Sequence, residues 1–205
     1  LTPRETHLSE NQREELMELL SQARHSDYKG LLTPDDVDFI FLLSLTALRV
    51  DEARSILWGN VNFVDKMFEA HDIKNKRNYK LPMTDATYGI FQRRYAQRKD
   101  GDTFVFSSAI DGTKPSSMSR TFQRLHKEFS HRFTAHDLRR TVATIASEMG
   151  HDLVRIGALL NHNKRGVTAS YHQTTKESIK KTLEDIEYEV LRKFDRNPAE
   201  KHLRK

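Results

Sequence analysis

The chain has no cysteine. Disulfides, thiol nucleophiles and cysteine-ligated zinc are therefore excluded. Glycine and proline are few, 8 and 5 among 205 residues, and no repeat or low-complexity segment stands out. No apolar run approaches the roughly 20 residues of a membrane span, and no signal peptide is visible. The expectation is a soluble, cytoplasmic protein. A strong charge of either sign is also missing: Lys and Arg number 34 and Asp and Glu 29, a formal net charge of +5. That balance is compatible with a polyanionic partner without requiring one.

What the chain does have is helical periodicity. Ser9 followed by Gln12 forms a capping box ahead of an amphipathic segment. Thr33, Pro34, Asp35 and Asp36 open a second helix with the residues that a helix N-terminus favours. Its run Val37, Phe39 to Leu43 and Leu45 is apolar nearly all round, which predicts a buried central helix. Between about 59 and 82 the pattern breaks into "NVNFVD", "MFEAHDIK" and "NYKLPM", read as a small antiparallel sheet turning at "DK" and "NKRN". Helices are predicted again over 84–99, 116–129, 134–149, 152–161 and 176–195. The fold class is mainly α with a small antiparallel β-sheet (α+β).

The stretch "FTAHDLRRT", residues 133–141, poses a physical question. Thr134 and Asp137 make an acidic capping box, with Phe133 and Leu138 in the staple positions. Leu138, Val142, Ile145 and Met149 form an apolar stripe at helical spacing, so that face is read as core. His136, Arg139 and Arg140 stand at i, i+3 and i+4 and are expected to share the other flank. A helix N-terminus already attracts anions, so cations added there repel unless an anion is bound. A phosphate resolves the conflict, because guanidinium forks match its oxygens. The plain alternative is an arginine paired with Asp137 or another nearby acid.

Other segments carry further candidates. Arg49 emerges just after the buried helix, with Glu52 three residues on; taken alone it reads as a structural ion pair. Lys74 and Lys76 flank a tight turn, where solvated cations are ordinary. His162 and Tyr171 lie nine residues apart around a basic turn, and a packing tyrosine is the plain reading of Tyr171. The histidines His126, His131, His136 and His151 lack the i, i+4 pairing of a helical zinc site, and there is no HExxH sequence, so no metal is expected.

Taken in order, Arg49, Lys74, His136, Arg139, His162 and Tyr171 resemble the signature of the tyrosine recombinases, the phage integrase family. The flanking text agrees: "TALRVDEARSILWGNV", "IKNKRNYKLPM", "FTAHDLRRTVAT" and "LLNHNKRGVTASYH" are similar to its successive boxes, from about residue 33 to 173. Two positions depart from the family, which usually has glycine where this chain has Ala47 and Asn161. Asparagine tolerates left-handed backbone, so the second turn is expected to survive.

The resemblance implies a fold, a reaction and partners. Residues 1–175 would be the catalytic domain, and 176–205 a C-terminal helix and tail that is packed in cis or exchanged between protomers. Ile179, Leu183, Ile186, Val190 and Leu191 would line that helix's apolar side. The family's separate N-terminal core-binding domain has no room ahead of residue 8, so either a catalytic fragment or an unusually short recombinase is expected.

The implied reaction is metal-free and cofactor-free strand transfer through a 3′-phosphotyrosine formed by Tyr171. Arg49, Arg139 and His162 would hold the phosphate, Lys74 would protonate the leaving oxygen, and His136 would accept or position the tyrosine proton. Glu52 would orient the Arg49 and His136 region. Lys76, Arg77, Lys164 and Arg165 would touch the DNA backbone, as would Arg140 unless it pairs with an acid. The implied partner is double-stranded DNA, bound as a homotetrameric synapse associated with the nucleoid. Accessory DNA-bending proteins are allowed, and the isolated domain would be monomeric or weakly associated. A non-cutting DNA-binding module of the same fold and a type IB topoisomerase are the competing readings.

Overall fold

The computed structural model describes residues 7–72, 77–107, 113–115, 117–161 and 175–192; the side chains of Asp72, Arg77 and Asn78 are outside that description. Helix α1 (Glu10–Gln22) starts at the predicted Ser9–Gln12 capping box and buries Leu16, Met17 and Leu20. Helix α2 (Pro34–Thr46) starts at Thr33, and every residue from Asp36 to Thr46 is buried. An apolar surface on all sides needs neighbours on all sides. Helix α2 finds them in α4 (Asp85–Ala96), α6 (Ala135–Glu148) and α8 (Lys176–Leu191). It ends at Ala47 in left-handed conformation, φ 54° and ψ 21°.

The predicted sheet is present, with strands β1 (Val61–Asn62), β2 (Met67–Asp72) and β3 (Arg77–Pro82) antiparallel in the order β1-β2-β3. Its register pairs Phe68 with Leu81 and Ala70 with Tyr79. Phe68, Ala70 and Leu81 are buried, as period-two alternation requires of the core face. The "DK" turn is present, with Lys66 left-handed at φ 49°. Strand β3 begins at Arg77, inside the predicted "NKRN" turn, because Arg77 and Asn78 pair with Asp72 and His71.

A four-residue helix, α3 (Val50–Ala53), follows α2 directly and was not expected. Helices α5 (Ser119–Glu128) and α7 (Leu153–Leu159) complete the set. Helix α4 stops at Ala96, short of the predicted 99, and α5 starts three residues late at Ser119. Helix α6 ends at Glu148, so Met149 becomes its cap and is 37% exposed. The expected core stripe Leu138, Val142, Ile145 therefore ends one residue early, where Gly150 turns the chain at φ 83°. Helix α8 buries Leu183 and Ile186, half-buries Ile179, Val190 and Leu191, and packs against α1, α2, α6, α7 and β3 of the same chain. Among the described residues no helix is long and apolar enough to cross a membrane.

The acids that open α2 do more than suit its dipole. Asp36 is buried and accepts from Thr121 Oγ1 and from Arg124 Nε and Nη2, each at 2.6 Å. Burial pushes the Asp36 carboxyl up, but the bonds from Arg124, Thr121 and Thr33 outweigh it and hold the group below its ordinary value. Asp35 pairs with Arg94. Asp38 receives Arg24 at 3.1 Å and Arg93 at 2.8 Å. These pairs join α2 to α4 and α5 and fix the frame on which the candidate site is built.

Candidate functional site

Two of the predicted arginines meet on one carboxylate. Arg49 caps α3, and Glu52 reaches back one turn to accept its backbone N–H at 2.7 Å. The other oxygen of Glu52 accepts Arg49 Nη1 at 2.6 Å. Glu52 is buried, whereas the Arg49 side chain is 41% exposed. Arg139 arrives from α6 with Nη1 at 3.5 Å from Glu52 Oε2. Its guanidinium is buried and also donates to two backbone carbonyls, Ala47 O and Leu160 O.

This arrangement corrects one sequence expectation. His136, Arg139 and Arg140 do not share a flank: His136 and Arg140 are exposed, while Arg139 turns inward. The i, i+3, i+4 spacing fixes where Cβ atoms point, but a long side chain can still swing to buried acceptors. Part of the charge conflict at the start of α6 is answered by Glu52, the neighbouring acid of the plain alternative. Asp137 is engaged in the capping box, accepting Thr134 N–H at 2.8 Å.

The carbonyls that Arg139 takes lie at the two turns where this chain departs from glycine. Ala47 is left-handed at φ 54° and Asn161, directly after Leu160, is left-handed at φ 47°. Both turns aim a helix-end carbonyl at the Arg139 guanidinium, one at the end of α2 and one at the end of α7. The expectation that Asn161 keeps the turn agrees with this geometry, and Ala47 keeps the other one.

One neighbour escaped the sequence reading. Tyr79 of β3 donates its hydroxyl to Glu52 Oε2 at 3.1 Å. Burial, and then the Glu52 charge, push the Tyr79 phenol above its ordinary value, so it remains a donor. A signal was present: Tyr79 alternates with Leu81 on the inward face, and a buried tyrosine hydroxyl needs a partner.

Glu52 was expected to orient the Arg49 and His136 region; it accepts from Arg49, and its other neighbours are Arg139 and Tyr79. Lys74, Lys76, His162, Lys164, Arg165 and Tyr171 lie outside the described residues, and Arg77 is described only as backbone in β3. Lys74 belongs to the link between β2 and β3, and His162 and Tyr171 to the link between α7 and α8. The first link runs into β3, which touches the arginine cluster through Tyr79, and the second follows Leu160, whose carbonyl accepts from Arg139. Among the described residues no group of three or more His, Asp or Glu side chains is gathered that could hold a metal ion. A buried carboxylate holding two guanidiniums, one of them partly at the surface, is suited to receive a phosphate.

Residues 6–178 match the phage integrase family. The tyrosine recombinase XerA of Pyrococcus furiosus is 25% identical over 149 residues, covering 71% of this chain and 52% of that protein. Among solved structures, the integrase from mycobacterium phage Brujita has a TM-score of 0.67 at 18% identity, covering 91% of this chain and 58% of that one. The Tn1549 transposon integrase, solved in complex with a circular intermediate DNA, has a TM-score of 0.61 at 19% identity, covering 78% and 59%. The chain thus spans about half the length of the XerA relatives it matches.

Proposed function

The chain belongs to the phage integrase family, the tyrosine recombinases, and from that premise we propose that it is the catalytic part of a site-specific DNA recombinase. The observation that carries this reading is the pair Arg49 and Arg139, brought from two helices onto the buried Glu52. The substrate is double-stranded DNA, in line with the DNA complex of the related Tn1549 integrase. Residues 1–175 serve as the catalytic domain and 176–205 as a C-terminal helix and tail. Synapsis of two duplexes proceeds on a homotetramer.

In the proposed step, the Tyr171 oxygen attacks the scissile phosphorus while His136 takes the phenolic proton. The P–O5′ bond breaks, and Lys74 delivers a proton to the departing 5′-oxygen. The 3′-phosphotyrosine so formed conserves the bond for rejoining. Charge that builds on the non-bridging oxygens meets Arg49, Arg139 and His162. Glu52 holds both arginines in place. Lys76, Arg77, Arg140, Lys164 and Arg165 contact flanking phosphates.

The test is a pool of nicked duplexes of randomised sequence, incubated with the protein and run on a denaturing gel. A protein–DNA band that survives denaturation is expected, and it is expected to vanish in Tyr171→Phe. The absence of any such band, or its persistence in the variant, would sink the proposal.

A further inference from the structure

Glu52 Oε2 is crowded. It accepts the Arg49 N–H at 2.7 Å and the Tyr79 hydroxyl at 3.1 Å, while Arg139 Nη1 stands at 3.5 Å. A carboxylate oxygen offers about two lone-pair sites. The backbone N–H and the phenol occupy both, so Arg139 stays at ion-pair distance and gives hydrogen bonds to Ala47 O and Leu160 O instead. Tyr79 sits on β3, paired with Ala70, on the strand that leads out of the link carrying Lys74. Its hydroxyl thus joins the sheet to the arginine cluster.

We infer that Tyr79 is a positioning residue: by occupying Glu52 Oε2 it keeps Arg139 from closing onto Glu52 and fixes β3 against the two arginines. The catalytic part of this inference rests on the recombinase reading; the positional part does not. Without the hydroxyl, Oε2 has an open site, and Arg139 can move in from 3.5 Å. The guanidinium then turns away from an incoming phosphate, and β3 loses its hydroxyl tie to the cluster.

The test compares Tyr79→Phe with the parent chain in two assays. The first needs no DNA: nitrogen-15 NMR of the arginine side chains, with the Arg139 signal assigned by its loss in Arg139→Lys. The Arg139 signal is expected to shift in Tyr79→Phe while the thermal midpoint stays close to that of the parent. An unmoved Arg139 signal overturns the inference, whatever the DNA does. The second is single-turnover cleavage of a nicked duplex recovered from the covalent band. The cleavage rate is expected to fall about three- to tenfold at unchanged DNA affinity, the factor set by one hydrogen bond. In Glu52→Gln the further loss caused by Tyr79→Phe is expected to disappear, because the hydroxyl acts through Glu52. Equal losses in both backgrounds, or a loss of affinity alone, overturn the inference. A parent chain that never forms a covalent band defeats the recombinase reading and the catalytic part with it, and the NMR result still decides the positional part.

Discussion

Replacing Glu52 by glutamine removes the negative charge between two arginines and keeps the side chain's shape. Arg139 stands 3.5 Å from Glu52 Oε2 and is buried. At an effective dielectric of about 20, unit charges at that separation attract by roughly 5 kcal/mol. Breaking a buried pair by removing one partner costs about 3–5 kcal/mol, since the other charge is left uncompensated. The Arg49 arm adds little, because its side chain is 41% exposed and solvent screens it. Arg139 keeps its bonds to Ala47 O and Leu160 O, which places the expectation at the lower end, about 3 kcal/mol. For a chain of this size that is a fall in thermal midpoint of about 6–12 °C. Thermal unfolding followed by circular dichroism, with urea unfolding at pH 7, reads both quantities. Asp51→Asn is the control, since Asp51 pairs with Arg54 but is 62% exposed. A Glu52→Gln loss no larger than the control's would refute the claim that Glu52 neutralises a buried guanidinium.

Three further outcomes follow from the same geometry. The Asp36 carboxyl is held below its ordinary value, so its contribution is present above about pH 4 and is lost as pH falls through its folded-state value. Urea unfolding at pH 5, 4 and 3 should therefore show a shallower acid loss in Asp36→Asn than in the parent, and parallel curves would contradict this. Ala47 is left-handed and fully buried, so Ala47→Val should cost about 2 kcal/mol or more, while Ala47→Gly changes stability by about 1 kcal/mol or less; equal effects would show that the turn carries no backbone constraint. Thr134→Ala removes the side-chain cap of α6 and should cost about 1 kcal/mol by chemical denaturation, and no loss would mean that the capping box contributes nothing.

The fold was legible wherever local chemistry and burial agreed. Thr33, Pro34 and the apolar run behind them placed the start of α2 to the residue, and Thr134 with Asp137 placed that of α6. The sheet was legible from alternation and turn residues; β3 begins one residue earlier than its segment, inside the turn signal, and β1 covers only Val61–Asn62 of the segment "NVNFVD". Met149 was misread because periodicity does not reveal where a helix stops, and Gly150 ends it there. At the site, Arg49 with Glu52 could be read because the pair is local. The inward turn of Arg139 could not, since its acceptors Ala47 O and Leu160 O lie 92 and 21 residues away in the chain. Nor could the Tyr79 bond to Glu52, 27 residues apart, although the inward phenol of β3 signalled that a partner was needed.

The central claim is that Tyr171 forms the bond to DNA. Protease digestion of the gel-purified covalent complex, followed by mass spectrometry, tests it most directly. The account predicts nucleotide mass on the peptide containing Tyr171, attached through a 3′-phosphate that leaves a free 5′-hydroxyl on the released strand. Nucleotide on any other residue, or a 5′-phosphate linkage, would contradict it.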